Sequence, residues 1–250
     1  MEEIVVLREG AMTRVTFNRP AQMNSLTTEM LSHLAALIRA ADDGATKLIV
    51  LTGAGRAFCS GADLTSTVDA ATVAAANDVV RAIAEARPVV FAAVNGAAAG
   101  VGASIAVACD LTVAVASAFL LMPFLPIGLV PDGAATHTLV TRAGAARAAR
   151  LVFGGERLTA TQAAEWGLLG EVVPDDELHA AVERLSNRML DAPVAAVYET
   201  KALLRRADRV GLERSSIDEL AVQGRLLQSD EYARAREGFL EKRPVSFRTS

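Results

Sequence analysis

The chain has 250 residues, of which 52% are hydrophobic and 22% charged, and its formal net charge is -4. Such a balance supplies ample apolar material for a core and excludes a disordered polymer. It also excludes a basic nucleic-acid footprint: Lys and Arg are dispersed, with Arg142, Arg147 and Arg150 reading as one solvated helical face.

The N-terminal MEEIVVLREG carries acid where a secretory signal would carry base, and its apolar run is too short for one, which points to the cytoplasm. Residues 3–8 and 12–18 alternate apolar and polar around Glu9-Gly10 and predict a hairpin. After Pro20, Thr27 or Thr28 is an N-cap candidate for a helix whose apolar stripe is Met30, Leu31, Leu34, Leu37 and Ile38. Lys47 to Thr52 predicts a buried strand, residues 71–86 an Ala-rich helix, Val89 to Val94 a strand and Gly100 to Ala108 a helix. Strands alternating with helices mean βαβ units. The uncharged run from Pro88 to Cys109 has membrane-span length, but its Asn, Ser and Gly residues suit a strand, turn and buried helix better, so no membrane span is expected.

Beyond Phe119, residues 137–153, 159–165, 175–190, 193–207, 214–227 and 230–241 all read as helices, with Pro174 and Pro193 near helix starts. The division is a core over 1–190 and a helical region over 191–250. Cys59 and Cys109 are too few for a disulfide framework and lack metal spacing, and His33, His137 and His179 are scattered. No metal site is expected.

Two small-residue segments follow buried strands: FCSGADL from Phe58 and VNGAAAGVGASIAVACD from Val94. Such loops can aim two main-chain N–H groups at one oxygen; they also simply permit sharp turns and close helix packing. Together with NRP from Asn18, NSL from Asn24, IGLVP from Ile127, AEWGLL from Ala164 and Val172-Val173, they form an ordered set over nearly the whole chain. That set resembles the crotonase superfamily, the enoyl-CoA hydratase/isomerase family.

The resemblance implies an α/β fold, a crotonase-like spiral of βαβ turns followed by a helical C-terminal region that packs on the core or on neighbouring subunits of a homotrimer or homohexamer. It implies an acyl-CoA substrate, with coenzyme A as part of that substrate and no separate cofactor. The oxyanion donors fall by motif match on the N–H groups of Ala62 and Val101. Ala57, Gly61, Asp63, Leu64, Gly100 and Gly102 would bound the CoA strip, with Met23 and Ser25 on its other side. Relatives often have a basic residue just before the Asn, where this chain has Gln22-Met23. Asp63 itself reads as a loop brace. Phe239, Lys242 and Phe247 resemble tail residues that approach a CoA site.

The acid/base positions depart most from the family. Hydratases carry two glutamates at positions that match Ser104 and Phe124 here, and neither of these ionises. Adding water needs one group to activate it and another to deliver a proton, so isomerisation is the leading expectation. Asp132, in Pro131-Asp132-Gly133, matches the carboxylate of several crotonase-type isomerases. It reads equally as the cap of a helix beginning near Ala134. An unconventional hydratase and a non-catalytic acyl-CoA-binding protein are the alternatives. His137, one turn further on, reads as structural, and Trp166 as core packing. Phe124, Leu125, Leu129 and Leu139 point to an apolar acyl pocket.

Overall fold

A computed structural model describes residues 2–42, 44–206 and 209–247. The chain opens with an antiparallel hairpin, β1 (Ile4–Glu9) and β2 (Met12–Phe17), turned by Gly10 at φ 60°. Parallel to β2 run β3 (Leu48–Gly53), β5 (Val89–Val94), β7 (Leu111–Val115) and β10 (Glu171–Val173), giving a sheet of order β1-β2-β3-β5-β7-β10. A second sheet collects β4 (Ala57–Cys59), β6 (Ala97–Ala99), β8 (Phe119–Leu121) and β9 (Leu158–Thr159) in that order, with only the last pair antiparallel. Each turn of the chain thus adds one strand to each sheet before a helix carries it back, which is the spiral the sequence implies.

The helices are α1 (Thr28–Ala40), α2 (Ala70–Glu85), α3 (Val101–Ala108), α4 (Ala135–Ala143), α5 (Ala145–Gly154), α6 (Ala160–Glu165), α7 (Leu178–Asp191), α8 (Val194–Arg206), α9 (Arg209–Leu226) and α10 (Asp230–Leu240). Thr27 caps α1, its hydroxyl accepting from Met30 N–H at 3.2 Å, and Asp69 caps α2 in a reciprocal box with Thr72. Both faces of the parallel strands are covered, so β5 is apolar throughout and β3 is apolar from Leu48 to Leu51, and period two assigns their faces. Leu48, Val50, Val89, Phe91 and Ala93 pack with Ala181 and Val182 of α7. Ile49, Leu51, Val90, Ala92 and Val94 enter the main core with Phe17 and Phe58, whose rings meet edge to face at 5.4 Å. Each fully buried Leu or Ile contributes roughly 1.5–3 kcal/mol.

Three expectations need correction. The single helix over 137–153 is two, because Gly144 adopts φ 82° and ψ 156° between α4 and α5. The three arginines therefore do not form one face: Arg142 donates to Cys109 O at 3.0 Å, while Arg147 and Arg150 together stack over the Trp166 ring at 5.5 and 6.0 Å. Helix α9 starts at Arg209, ahead of the expected 214. The expected end of the preceding helix at 207 lies outside the described residues. Among the described residues no helix is long and apolar enough to cross a membrane, and the Pro88–Cys109 run is β5, β6 and buried α3.

Candidate active site

Strands β4 and β6 run parallel with Cys59 opposite Ala98, so the loops that follow them emerge side by side. They touch at Gly61 and Gly100. Both are left-handed, at φ 105° and 53°; a Cβ on Gly61 would stand 3.5 Å from Gly100 Cα, and one on Gly100 3.6 Å from Gly61 Cα. A side chain at either position would be strained, and one at Gly61 would also crowd Ala99 O at 3.0 Å. Gly102 is equally constrained, because a Cβ there would stand 2.5 Å from Cys59 O.

The N–H groups after the two glycines follow from this geometry. Ala62 pairs with Leu26 in a parallel bridge: Leu26 N–H donates to Gly61 O and Asp63 N–H to Leu26 O. In that pattern the N–H of Ala62 points away from Leu26. Val101 is the first residue of α3, and its N–H is one of the donors a helix leaves without an internal acceptor. The neighbouring N–H groups are engaged, Gly100 with Leu121 O and Ser104 with Gly100 O, both at 3.0 Å. The α3 N-terminus brings its partial positive charge beside these loops.

The loops are braced from the N-terminal segment. Asn24, fully buried and left-handed at φ 58°, donates to Ala54 O and Ala57 O at 2.9 and 2.7 Å and accepts from Arg19 N–H at 2.9 Å. Asp63 is turned to Arg19, at 2.8 Å, and to the Thr65 N–H and hydroxyl. Burial works against its ionisation, but Thr65 and Arg19 outweigh that and hold its carboxyl below the ordinary value. Of the expected strip, Ala57, Ser25, Gly61 and Gly102 are buried and Met23, Ala62 and Leu64 half-buried. Arg56 lies against Met23, its Nε donating to Sδ at 3.0 Å.

The Pro131-Asp132-Gly133 loop sits over α3. A Cβ on Gly133 would stand 2.9 Å from Ser104 Cβ, and Ser104, fully buried, turns its hydroxyl back to Gly100 O. The Phe124 ring tip lies 3.9 Å from where a Gly100 Cβ would be, so Phe124 walls the left-handed turn. Asp132 is 8% exposed; its Oδ2 accepts from Gln223 Nε2 at 3.3 Å, and its Oδ1 has no partner. Burial, then the charge of Glu219, raises its carboxyl to about 7, against which the Gln223 bond works.

The capping reading of Asp132 does not survive. Helix α4 takes Ala134 as its N-cap, left-handed at φ 53° and without a side-chain cap. Its free N-terminal donors are met from α9: Glu219 Oε1 accepts from Thr136 N–H at 2.8 Å and from the Thr136 hydroxyl at 2.5 Å. Gln223 also accepts from Val130 N–H at 2.9 Å, and Asn77 of α2 accepts from Gly133 N–H while donating to Ser216 O, each at 2.9 Å.

Glu219, Gln223 and Asn77 were absent from the sequence reading. A signal existed: Leu212, Glu219 and Gln223 share the buried stripe of α9, and two polar residues there break the apolar pattern. The His137 ring packs on Gly211, where a Cβ would stand 2.2 Å from its Cε1. Leu139 is fully buried and Leu125 is 38% exposed; Phe124 and Leu129 are also buried in the core, and of these Phe124 lies against Gly100. Arg236 of α10 reaches Ser66 O at 2.9 Å; one helical turn further, Phe239 is 55% exposed, and Lys242 is exposed at φ 54°. Both stand at the outer end of the tail. Burial pushes the Cys59 and Cys109 thiols up to about 12, so neither is a nucleophile. A cavity of about 560 Å3 between α7, α8 and the first residues of β5 and β7 includes none of the loop residues. Among the described residues no cluster of His, Cys, Asp or Glu gathers to hold a metal.

The family described as enoyl-CoA hydratase/isomerase matches residues 8–250. The 1,2-epoxyphenylacetyl-CoA isomerase of Escherichia coli (strain K12) is 34% identical over 252 residues, covering 96% of each chain. The 2,3-dehydroadipyl-CoA hydratase of the same strain is 32% identical over 254 residues, covering 99% of each. An enoyl-CoA hydratase crystal structure from Mycobacterium avium subsp. paratuberculosis K-10 superposes with a TM-score of 0.94 at 35% identity, covering 99% of each chain.

Proposed function

We propose that this chain, which belongs to the enoyl-CoA hydratase/isomerase family, isomerises an enoyl-CoA, with Asp132 as the single proton-transferring group. The observation that carries the reading is the state of Asp132: buried, unneeded as a cap, one oxygen unpartnered, and raised to about 7. A carboxylate in such a setting is a stronger base at neutral pH than an exposed one.

Asp132 takes a proton from C2 of a 3-enoyl thioester, and the electron pair moves onto the carbonyl oxygen as an enolate. The N–H groups of Ala62 and Val101 hold that oxygen; donors of this kind are worth about 3 kcal/mol each. As the enolate collapses the double bond moves to C2–C3, and Asp132 returns the proton to C4. No water is consumed, which suits a site where Ser104 and Phe124 occupy the positions that carry glutamates in hydratases. Ala57, Gly61 to Leu64 and Gly100 to Gly102 bound the CoA, with Met23 and Ser25 opposite. Arg56, exposed beside Met23, is the nearby cation where Gln22-Met23 supply none. Phe124 and Leu129 line the acyl side, and coenzyme A enters only as part of the substrate. The exposed Leu203, Leu204, Val210 and Ile217 of α8 and α9 favour assembly into a trimer or hexamer, in which Phe239 and Lys242 approach a CoA site.

The relatives include both an isomerase and a hydratase, so the test offers both substrates. Incubation with 3-enoyl-CoA in deuterated water is expected to give 2-enoyl-CoA whose new C4 hydrogen is mostly the one taken from C2, because the buried Asp132 that removes it also delivers it, with solvent deuterium entering C4 only where Asp132 exchanges first. Crotonyl-CoA is expected to hydrate very slowly. Hydration at a rate ordinary for a hydratase, or CoA binding without turnover of either substrate, contradicts the reading.

A further inference from the structure

The Asp132 loop is held by the helical tail of its own chain. Glu219 and Gln223, one turn apart on α9, are 4% and 1% exposed, and Gln223 grips the loop at both Val130 and Asp132. Glu219 takes the Thr136 N–H, the Thr136 hydroxyl and the Ser215 hydroxyl on Oε1, while its Oε2, like Asp132 Oδ1, is buried without a partner. A plain helix cap does not need a second sequestered oxygen, nor does it need to face another buried carboxylate.

We propose that Glu219 and Gln223 are positioning residues for Asp132: Glu219 caps α4 in its place and opposes its negative charge, while Gln223 holds and stabilises its carboxylate. The proposal rests on the isomerase reading only for its consequence on turnover. Two buried carboxylates in one field resist ionising together, so the pair keeps a proton over a pH range where isolated carboxylates have lost theirs. Burial pushes Glu219 upward as well, against its Thr136 and Ser215 donors.

Other elements around the loop bring little charge to it. Helix α3 has no ionisable side chain but those of its flanks, and α2 meets the loop through Asn77 and Val80, while its Asp78 pairs toward the surface with both Arg81 and Arg39. On α4, His137 packs on Gly211 and Arg142 donates to Cys109 O. On α9, Arg209 pairs with Glu213 and Arg214 with Asp218, all exposed. On α10, the Tyr232 phenol is buried without a partner and Arg236 reaches Ser66 O.

The test compares the full-length protein with Glu219→Gln, which keeps the cap acceptor, and with Gln223→Met, which removes the donor to Asp132. Carbon-13 labelled Asp carboxyls are followed by NMR across pH, with Asp132→Asn identifying the resonance, and kcat/KM for a 3-enoyl-CoA is measured on the same samples. The Asp132 midpoint and the rising limb of the rate profile are expected to move down by about half a pH unit or more in Glu219→Gln, and up in Gln223→Met. A merely structural role changes melting temperature without moving either midpoint, and unmoved midpoints overturn the proposal. If Glu219→Gln does not fold, the upward shift in Gln223→Met still decides: no shift overturns it. Opposite shifts with no turnover in any sample uphold the carboxylate pair and sink the isomerase reading instead.

Discussion

The two loops that follow β4 and β6 build their part of the site from main chain, whereas the Asp132 cluster builds its part from side chains drawn from distant elements. The loops need only the parallel β4–β6 pair and glycines where the chain takes a positive φ. The cluster needs Asp132, Glu219, Gln223 and Asn77 to arrive from a loop, α9 and α2 with every bond made. In the proposed reaction, oxyanion stabilisation would thus come from the fold, and the choice of proton chemistry from a few replaceable residues. A family that hosts both hydratases and isomerases fits that division.

The largest expected effect separates the halves outright. Asp132→Asn is expected to lower isomerisation by about three orders of magnitude, within the range of a lost acid/base group, while acyl-CoA affinity stays near the parent value. Melting temperature at pH 5 should hardly change, because Glu219 caps α4. Retained turnover, measured across a 3-enoyl-CoA panel, would remove Asp132 from the chemistry.

Breaking the main-chain half should cost turnover and stability together. Gly61→Ala forces a Cβ onto φ 105° within 3.0 Å of Ala99 O. Turnover is expected to fall about 100-fold, as for a displaced oxyanion donor, with a loss of about 1–3 kcal/mol in denaturant unfolding. A variant of full activity would place the donors elsewhere.

Ser104→Glu tests whether hydratase chemistry can be restored by one residue. The Ser104 side chain already meets Gly133, so the larger acid has no room and is expected to destabilise the fold by about 1–3 kcal/mol without raising crotonyl-CoA hydration. A rise in hydration at unchanged stability would contradict the packing described.

The smallest effect is in the pH dependence of stability. An unfolded Asp titrates near its ordinary value, about 3.9, and folded Asp132 at about 7. Between those limits the folded state holds more protons, so the contribution of Asp132 is fully present below the lower one and is lost as pH rises through the upper. Asp132→Asn removes that loss. Its melting temperature is therefore expected to gain on the parent between pH 5 and 8; a constant difference would mean that Asp132 is not raised.

The same contrast explains what the sequence disclosed. Gly61, Ala62, Gly100 and Val101 stand in contiguous motifs, and each motif records the local turn it makes, so the loops were legible. The hairpin, the buried strands and the Thr27 cap follow from period two, apolar runs and a hydroxyl before an apolar stripe, all local signals. Glu219 and Gln223 lie 87 and 91 residues beyond Asp132, on a helix whose polar inward positions look like surface until its packing is known. The alternative reading of Asp132 as a helix cap fell for the same reason, since the actual acceptor comes from another element. Gly144 was legible as a glycine but not as a break, because only its φ of 82° separates α4 from α5.

A structure of the protein with a non-reactive 3-enoyl thioester analogue of coenzyme A tests most directly whether the two halves serve one reaction. The account predicts the thioester oxygen within about 3 Å of both the Ala62 and Val101 nitrogens, and an Asp132 carboxylate oxygen about 3–3.5 Å from C2. A thioester held by the loops with Asp132 out of reach of C2 and C4, or an oxygen bonded to neither nitrogen, would contradict it.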